Sequence, residues 1–158
     1  MKKERLEEIY QKAVTIYQND YKKYKLCFKP KKYESELDRH REDLNMLMYL
    51  TTLFKELTHR CNYNMATFQF ANIALTYVPR DRNKAFELMI KKRHDYGITP
   101  ILITGQIGIL VRIISKICRL TNLFDKQEKF ESIEDNRLDI FNYAIIGLQL
   151  IFGDFNEH

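Results

Sequence analysis

The sequence predicts an all-α fold: a bundle of about six helices in a single domain, with a basic N-terminal helical arm. Three observations carry this reading. Gly and Pro are scarce, five and three in 158 residues, which argues against a turn-rich β-sandwich. Apolar residues recur at three- and four-residue steps through most of the chain, the spacing of a helix face. No window shows the alternation of a half-buried strand, and no internal repeat is visible. The composition is 45% hydrophobic, 13% aromatic and 30% charged, that of a globular chain rather than a disordered one. A chain of 19.1 kDa can bury a core without metal or disulfide staples.

Each helix has its own justification. Over 3–25, Leu6, Ile9, Tyr10, Ala13, Ile16, Tyr17 and Tyr21 form one apolar stripe. Phe28-Lys29-Pro30-Lys31-Lys32 breaks it. Ser35 followed by Asp38 has the form of a helix cap. From there Leu37, Leu44, Leu47, Met48, Thr51, Phe54 and Leu57 carry a second stripe to about Arg60. A third helix is expected over 65–77, ended by Val78-Pro79-Arg80, and Asp81 is positioned to cap a fourth over 82–94. Asp95 to Pro100 reads as the clearest loop. Pro100 then opens a long apolar helix to about Leu123, whose Gly105 and Gly108 would admit a close neighbour. After a charged linker over 124–131, Ser132 caps the last helix, which runs to about Phe152. The chain divides into a basic helix and loop at 1–32 and a bundle at 33–158.

Charge is unevenly spread. The total is +5, but 1–32 carries +6, 33–80 carries −1, 81–120 carries +5 and 121–158 carries −5. The first block sets Lys22, Lys23, Lys25, Lys29, Lys31 and Lys32 around Tyr21, Tyr24 and Tyr33. Lysines beside aromatics suit nucleic acid, through phosphate contact and base stacking. A solvated, lysine-rich helix face has the same appearance. Cys27, Cys61 and Cys118 form no metal-binding spacing and read as reduced structural thiols. The uncharged stretch at 98–111 is short for a bilayer span, and MKKERLEEIY lacks the apolar run of a signal peptide. A cytoplasmic chain without a membrane partner is expected.

The residues able to carry chemistry lie on the last two helices and the turn before them. Arg112, Lys116 and Arg119 form a basic stripe at i, i+4 and i+7 on an otherwise apolar helix. Asp135, Asp139 and Asn142 repeat that spacing on the final helix. Asp139, between Leu138 and Ile140, is costly to bury unless paired or metal-bound. Two carboxylates one turn apart can reach Mg²⁺ (or Mn²⁺), which favours few carboxylates plus phosphate oxygens. Glu131 could join them, and Asp95 could supply a carboxylate from across the bundle. Equally, Ser132 to Asp135 has the form of a capping box, and the two stripes could be ion pairs. There is no GxSxG, P-loop, GxGxxG or HExxH, which argues against hydrolases of those classes, P-loop ATPases and Rossmann dehydrogenases.

Three segments carry a resemblance. Lys92-Arg-His-Asp95-Tyr96-Gly97, Arg112-Ile-Ile-Ser-Lys116-Ile-Cys-Arg119 and Glu131-Ser-Ile-Glu-Asp135-Asn-Arg-Leu-Asp139-Ile-Phe-Asn142-Tyr143-Ala144 resemble, in order, the motifs of the nucleotide-modification-associated domain, type one. The likeness spans about 85–152 and implies a role in nucleotide or modified-base metabolism. Asp139-Ile-Phe-Asn142-Tyr143 is also similar to the last core helix of the MazG-like all-α nucleoside triphosphate pyrophosphatases, although Asn136 stands where that family has Glu.

Three functions follow as expectations. In the first, the chain is a Mg²⁺-dependent hydrolase of a (deoxy)nucleoside triphosphate or modified nucleotide. Asp95, Asp135 and Asp139 would hold metal with Glu131. Lys92, Arg112, Lys116 and Arg119 would take phosphates, and Asn142 and Tyr96 would contact base or sugar. In the second, the same cations bind a nucleotide without turnover and the acids are structural. In the third, the basic arm binds nucleic acid or a protein. A homo-oligomer is also expected, through Ala144 to Phe152 or the glycine face.

Overall fold

A computed structural model describes residues 1–24, 35–60, 63–124, 126 and 132–155. Six helices follow one another: α1 (Lys3–Tyr24), α2 (Glu36–Arg60), α3 (Tyr63–Thr76), α4 (Arg82–Tyr96), α5 (Thr99–Leu123) and α6 (Ile133–Phe152). No strand occurs among the described residues. The fold is an all-α bundle.

Local capping chemistry sets several of the starts. Ser35 Oγ accepts from the Asp38 N–H at 3.2 Å. Asp81 accepts from the Lys84 N–H at 3.1 Å, and Ser132 Oγ from the Asp135 N–H at 3.0 Å. Each satisfies an N–H that the first helical turn leaves without a partner.

The bundle is built around α6. It forms a helical hairpin with α5 and packs on α3, with α1 and α4 against its remaining sides. From Asp139 to Gln149 only Tyr143 on this helix is not buried. Phe141 packs between Tyr10 of α1 and Phe86 of α4, with ring centroids 6.0 and 5.9 Å away. The apolar run expected to form an oligomer surface is therefore filled within one chain over 144–149. On α1, Leu6, Ile9, Tyr10, Ala13 and Tyr17 are buried, so this helix is a member of the bundle. The side chains of 21–34, including the lysine-rich stretch, lie outside the described residues.

Two local features differ from expectation. Asp95 and Tyr96 belong to the last turn of α4 rather than to a loop. The break consists of Gly97 and Ile98; Gly97, with φ 70°, ends the helix while its N–H still bonds Arg93 O at 2.9 Å. The second is a kink in α5 at Gly105, with φ 58° and ψ −151°. No neighbouring helix uses the glycines to approach: nothing meets a Cβ at Gly105, and at Gly108 the atoms in the way are the Thr104 and Arg112 side chains. The kink folds Thr104 over Gly108.

By length and composition α5 is long and apolar enough to cross a membrane, alone among the described helices. Ile109, Leu110, Ile113, Ile117 and Leu120 are buried, while Ile103, Ile107 and Val111 are exposed.

Candidate functional site

The cations of α4 and α5 meet α6 at a cavity of about 460 Å³. Three helices build it. Lys92, Arg93 and Tyr96 come from the end of α4, Arg112 and Lys116 from α5, and Asp139, Asn142 and Gln149 from α6. Gly97, Pro100 and Ile101 line it at the α4–α5 turn. Tyr96 is 78% exposed. A larger, open groove of about 1030 Å³ runs along α1 past Glu4, Glu7 and Glu8. Lys3 and Lys12 line it as well, and it holds none of the residues selected from sequence.

Asp139 organises the charged end of the cavity. Its Oδ1 accepts from Lys92 Nζ at 2.7 Å, and its Oδ2 pairs with Lys116 Nζ at 2.8 Å. Burial opposes ionisation of this carboxyl, but the bonds from Lys116 and Lys92 outweigh it and hold the group below its ordinary 3.8. Arg112 extends the cationic wall one turn along α5, and its Nη1 donates to Thr104 Oγ1 at 3.2 Å. That bond depends on the kink at Gly105, which brings Thr104 back over the helix.

The opposite end is formed by Arg93, Gln149 and Phe155. The Arg93 guanidinium lies 4.7 Å above the Phe155 ring, and its Nη2 donates to Phe155 O at 2.6 Å. Burial lowers the pKa of this arginine, which remains a cation at neutral pH. Gln149 is fully buried and donates to Met1 Sδ at 3.0 Å. Asn142, between the two ends, donates to Ala85 O at 3.2 Å.

Of the residues selected from sequence, Lys92, Tyr96, Arg112, Lys116, Asp139 and Asn142 share this cavity. Asp95, Asp135 and Arg119 do not line it. Asp95 lies on the exposed side of α4, with Oδ1 3.3 Å from His94 Nδ1. Asp135 is in the exposed first turn of α6, and its N–H is bonded to the cap. The stripes are longer than the cavity: Arg119 and Asp135 stand towards the α5–α6 linker, beyond Asp139. Glu131 lies outside the described residues.

The expected gathering of Asp95, Asp135 and Asp139 around one divalent ion is accordingly not found. Among the described residues no group of three or more His, Cys, Asp or Glu could hold a metal. The lining supplies one carboxylate, with both oxygens engaged by ammonium groups. That donor set suits an anion and not Mg²⁺ or Mn²⁺.

Sequence reasoning missed Arg93 and Gln149 as site residues. For Gln149 a signal was present: it continues the polar stripe of Asp139 and Asn142 along the otherwise apolar end of α6. Arg93 gave none, because in sequence it is one of several cations on α4.

No family model matches the chain, and neither a curated protein nor a solved structure does.

Proposed function

We propose that this protein binds a nucleotide, taking its phosphates between α4 and α5 without a resident metal ion. One observation carries the reading. Lys92, Arg93, Arg112 and Lys116 line a single cavity in which Asp139 is the sole carboxylate among the described residues. In a partly dry cleft such an excess of fixed positive charge favours a polyanion. Guanidinium groups also match phosphate oxygens geometrically.

Two further features support a nucleotide over a bare oxyanion. The cavity is of the size that holds small organic ligands. It also combines cations with a tyrosine at Tyr96 and with buried amides at Asn142 and Gln149. The three segments 92–97, 112–119 and 131–144 each contribute lining residues. Asp139 acts as the counter-ion that holds two lysines in place.

The test is calorimetric titration of the full chain with inorganic pyrophosphate and with ribo- and deoxyribonucleoside triphosphates, chelator present. Binding is expected, and it should weaken as salt rises. Arg112→Gln should weaken it about tenfold or more, the worth of one charge-assisted hydrogen bond. A wild-type chain that binds none of these ligands overturns the proposal.

A further inference from the structure

The α4–α5 turn carries an apolar surface that nucleotide binding does not use. Tyr96, in the last turn of α4, is 78% exposed, and Ile103, near the start of α5, is 79% exposed. Leu102, Ile107 and Val111 of α5 are exposed as well. Single exposed apolar side chains are ordinary, but a run of large ones marks an interaction surface.

Charge frames this surface. No formal charge occurs over 98–111. Between Glu87 and Asp125 the chain sets Lys91, Lys92, Arg93, Arg112, Lys116 and Arg119 against a single acid, Asp95. Asp139 of α6 is shared by Lys92 and Lys116, which leaves the region cationic. Aliphatic groups set among cations are complementary to an anionic lipid surface. Acyl chains receive the former, and headgroup phosphates attract the latter. Tyr96, with an apolar ring and a polar hydroxyl, suits the boundary between them.

Two other occupants fit less well. A second copy on this face would bring two cationic regions together, which repel. Side chains exposed to nearly four-fifths project from the fold instead of lining a groove. Leu102, Ile103, Ile107 and Val111 also offer no hydrogen bond, whereas protein interfaces carry many.

We propose that this end of the bundle docks on an anionic membrane surface, inserting Tyr96, Leu102 and Ile103 to headgroup depth. The protein lies on the bilayer and does not cross it. Ile109, Leu110, Ile113, Ile117 and Leu120 are buried in the bundle, so α5 could span a membrane only by leaving its fold. The kink at Gly105 turns residues 99–104 away from the line of that buried part. The expectation of a chain without a membrane partner rests on the shortness of 98–111, and a surface-bound end needs no span. Tyr96, Pro100 and Ile101 also line the cavity, so docking would hold the cavity beside the headgroups. The proposal does not depend on what the cavity binds.

The experiment is co-sedimentation of the full chain with vesicles of phosphatidylcholine and with vesicles of equimolar phosphatidylcholine and phosphatidylglycerol. Binding is expected to the anionic vesicles, and it should weaken as salt rises. Ile103→Ser should weaken it about tenfold, the worth of one large aliphatic side chain. Leu37→Ser should leave it unchanged, because Leu37 is exposed beside Glu36, which pairs with Arg137 near the start of α6, at the other end of the hairpin. Ile103 does not line the cavity, so pyrophosphate titration of Ile103→Ser checks its fold and should match wild type. Anionic-vesicle binding that Ile103→Ser leaves unchanged overturns the proposal, since charge alone would then account for it. No binding to anionic vesicles also overturns it. In that case Ile103-dependent dimerisation would assign the face to a second copy, and Ile103-dependent binding of polyglutamate would assign it to an acidic protein.

Discussion

Lys116 Nζ meets Asp139 Oδ2 at 2.8 Å, and the second oxygen of the same carboxylate is held by Lys92. One acid on α6 thus ties α4 and α5 to the hairpin and sets the spacing of two ammonium groups at the cavity. The pair is buried on the Lys116 side and half-open on the Lys92 side, so its loss should cost less than that of a fully buried pair. Asp139→Asn is expected to destabilise the protein by about 1–3 kcal/mol near neutral pH.

The pH dependence of that cost has a definite sign. The folded pKa of Asp139 is depressed below 3.8. The stabilisation is therefore fully present above 3.8 and is lost as pH falls through the depressed value. The gap in urea-unfolding free energy between wild type and Asp139→Asn should shrink at strongly acid pH. A gap that does not change with pH would contradict the ion-pair role.

Asp43 has the opposite balance. It is buried on α2 with Tyr77 Oη donating to its Oδ1 at 2.7 Å. Burial raises its pKa above 3.8, and the bond from Tyr77 only partly offsets this. The folded state then holds the proton more tightly, so this group's contribution to stability falls as pH rises through the raised value. Asp43→Asn should equal or exceed wild-type stability at neutral pH by up to about 1 kcal/mol, an advantage that vanishes near the unfolded pKa. Tyr77→Phe, which strands the carboxylate, should cost about 1–3 kcal/mol. Chemical denaturation across pH measures both.

Gly147 marks where α3 touches α6. A Cβ there would lie 2.7 Å from two ring carbons of Phe70, and Phe70 is fully buried. Alanine would gain about 1 kcal/mol of helix propensity but would overpack the core by about 1–3 kcal/mol. A net fall in melting temperature is expected for Gly147→Ala. A rise would show that Phe70 has room to withdraw.

Gly105 connects backbone conformation to the site. Its φ and ψ, 58° and −151°, lie in a region that is essentially glycine's own. Gly105→Ala should cost on the order of 1–3 kcal/mol, or straighten α5 and separate Thr104 from Arg112. Where the helix straightens, pyrophosphate affinity should drop. Unaltered stability together with unaltered affinity would remove the kink from the account.

Much of this fold was legible because its signals are local. Ser35, Asp81 and Ser132 cap the helices they were expected to cap, since a side-chain oxygen and a nearby N–H need no tertiary context. The stripes of α5 and α6 likewise predicted that Arg112, Lys116, Asp139 and Asn142 would share faces. Helical spacing cannot say where along two stripes a cavity begins and ends. Arg119 and Asp135 therefore satisfied the pattern yet stand beyond it. Asp95 and Tyr96 read as loop because Gly97 and Pro100 follow, but Gly97 and Ile98 suffice for the turn. The kink at Gly105 was hidden because a glycine inside an apolar helix has the same appearance whether it is straight or broken.

The proposed function turns on Asp139 serving as counter-ion to the lysines that would hold phosphate, rather than as a metal ligand. The most direct measurement is calorimetric titration of wild type and Asp139→Asn with a nucleoside triphosphate, each with chelator and with excess Mg²⁺. Under the proposed function, wild type should bind in chelator and Asp139→Asn should bind at least as tightly, since the variant removes a negative charge beside the proposed phosphate site. Wild-type binding that requires Mg²⁺, and that disappears in Asp139→Asn while the variant remains folded, would contradict it.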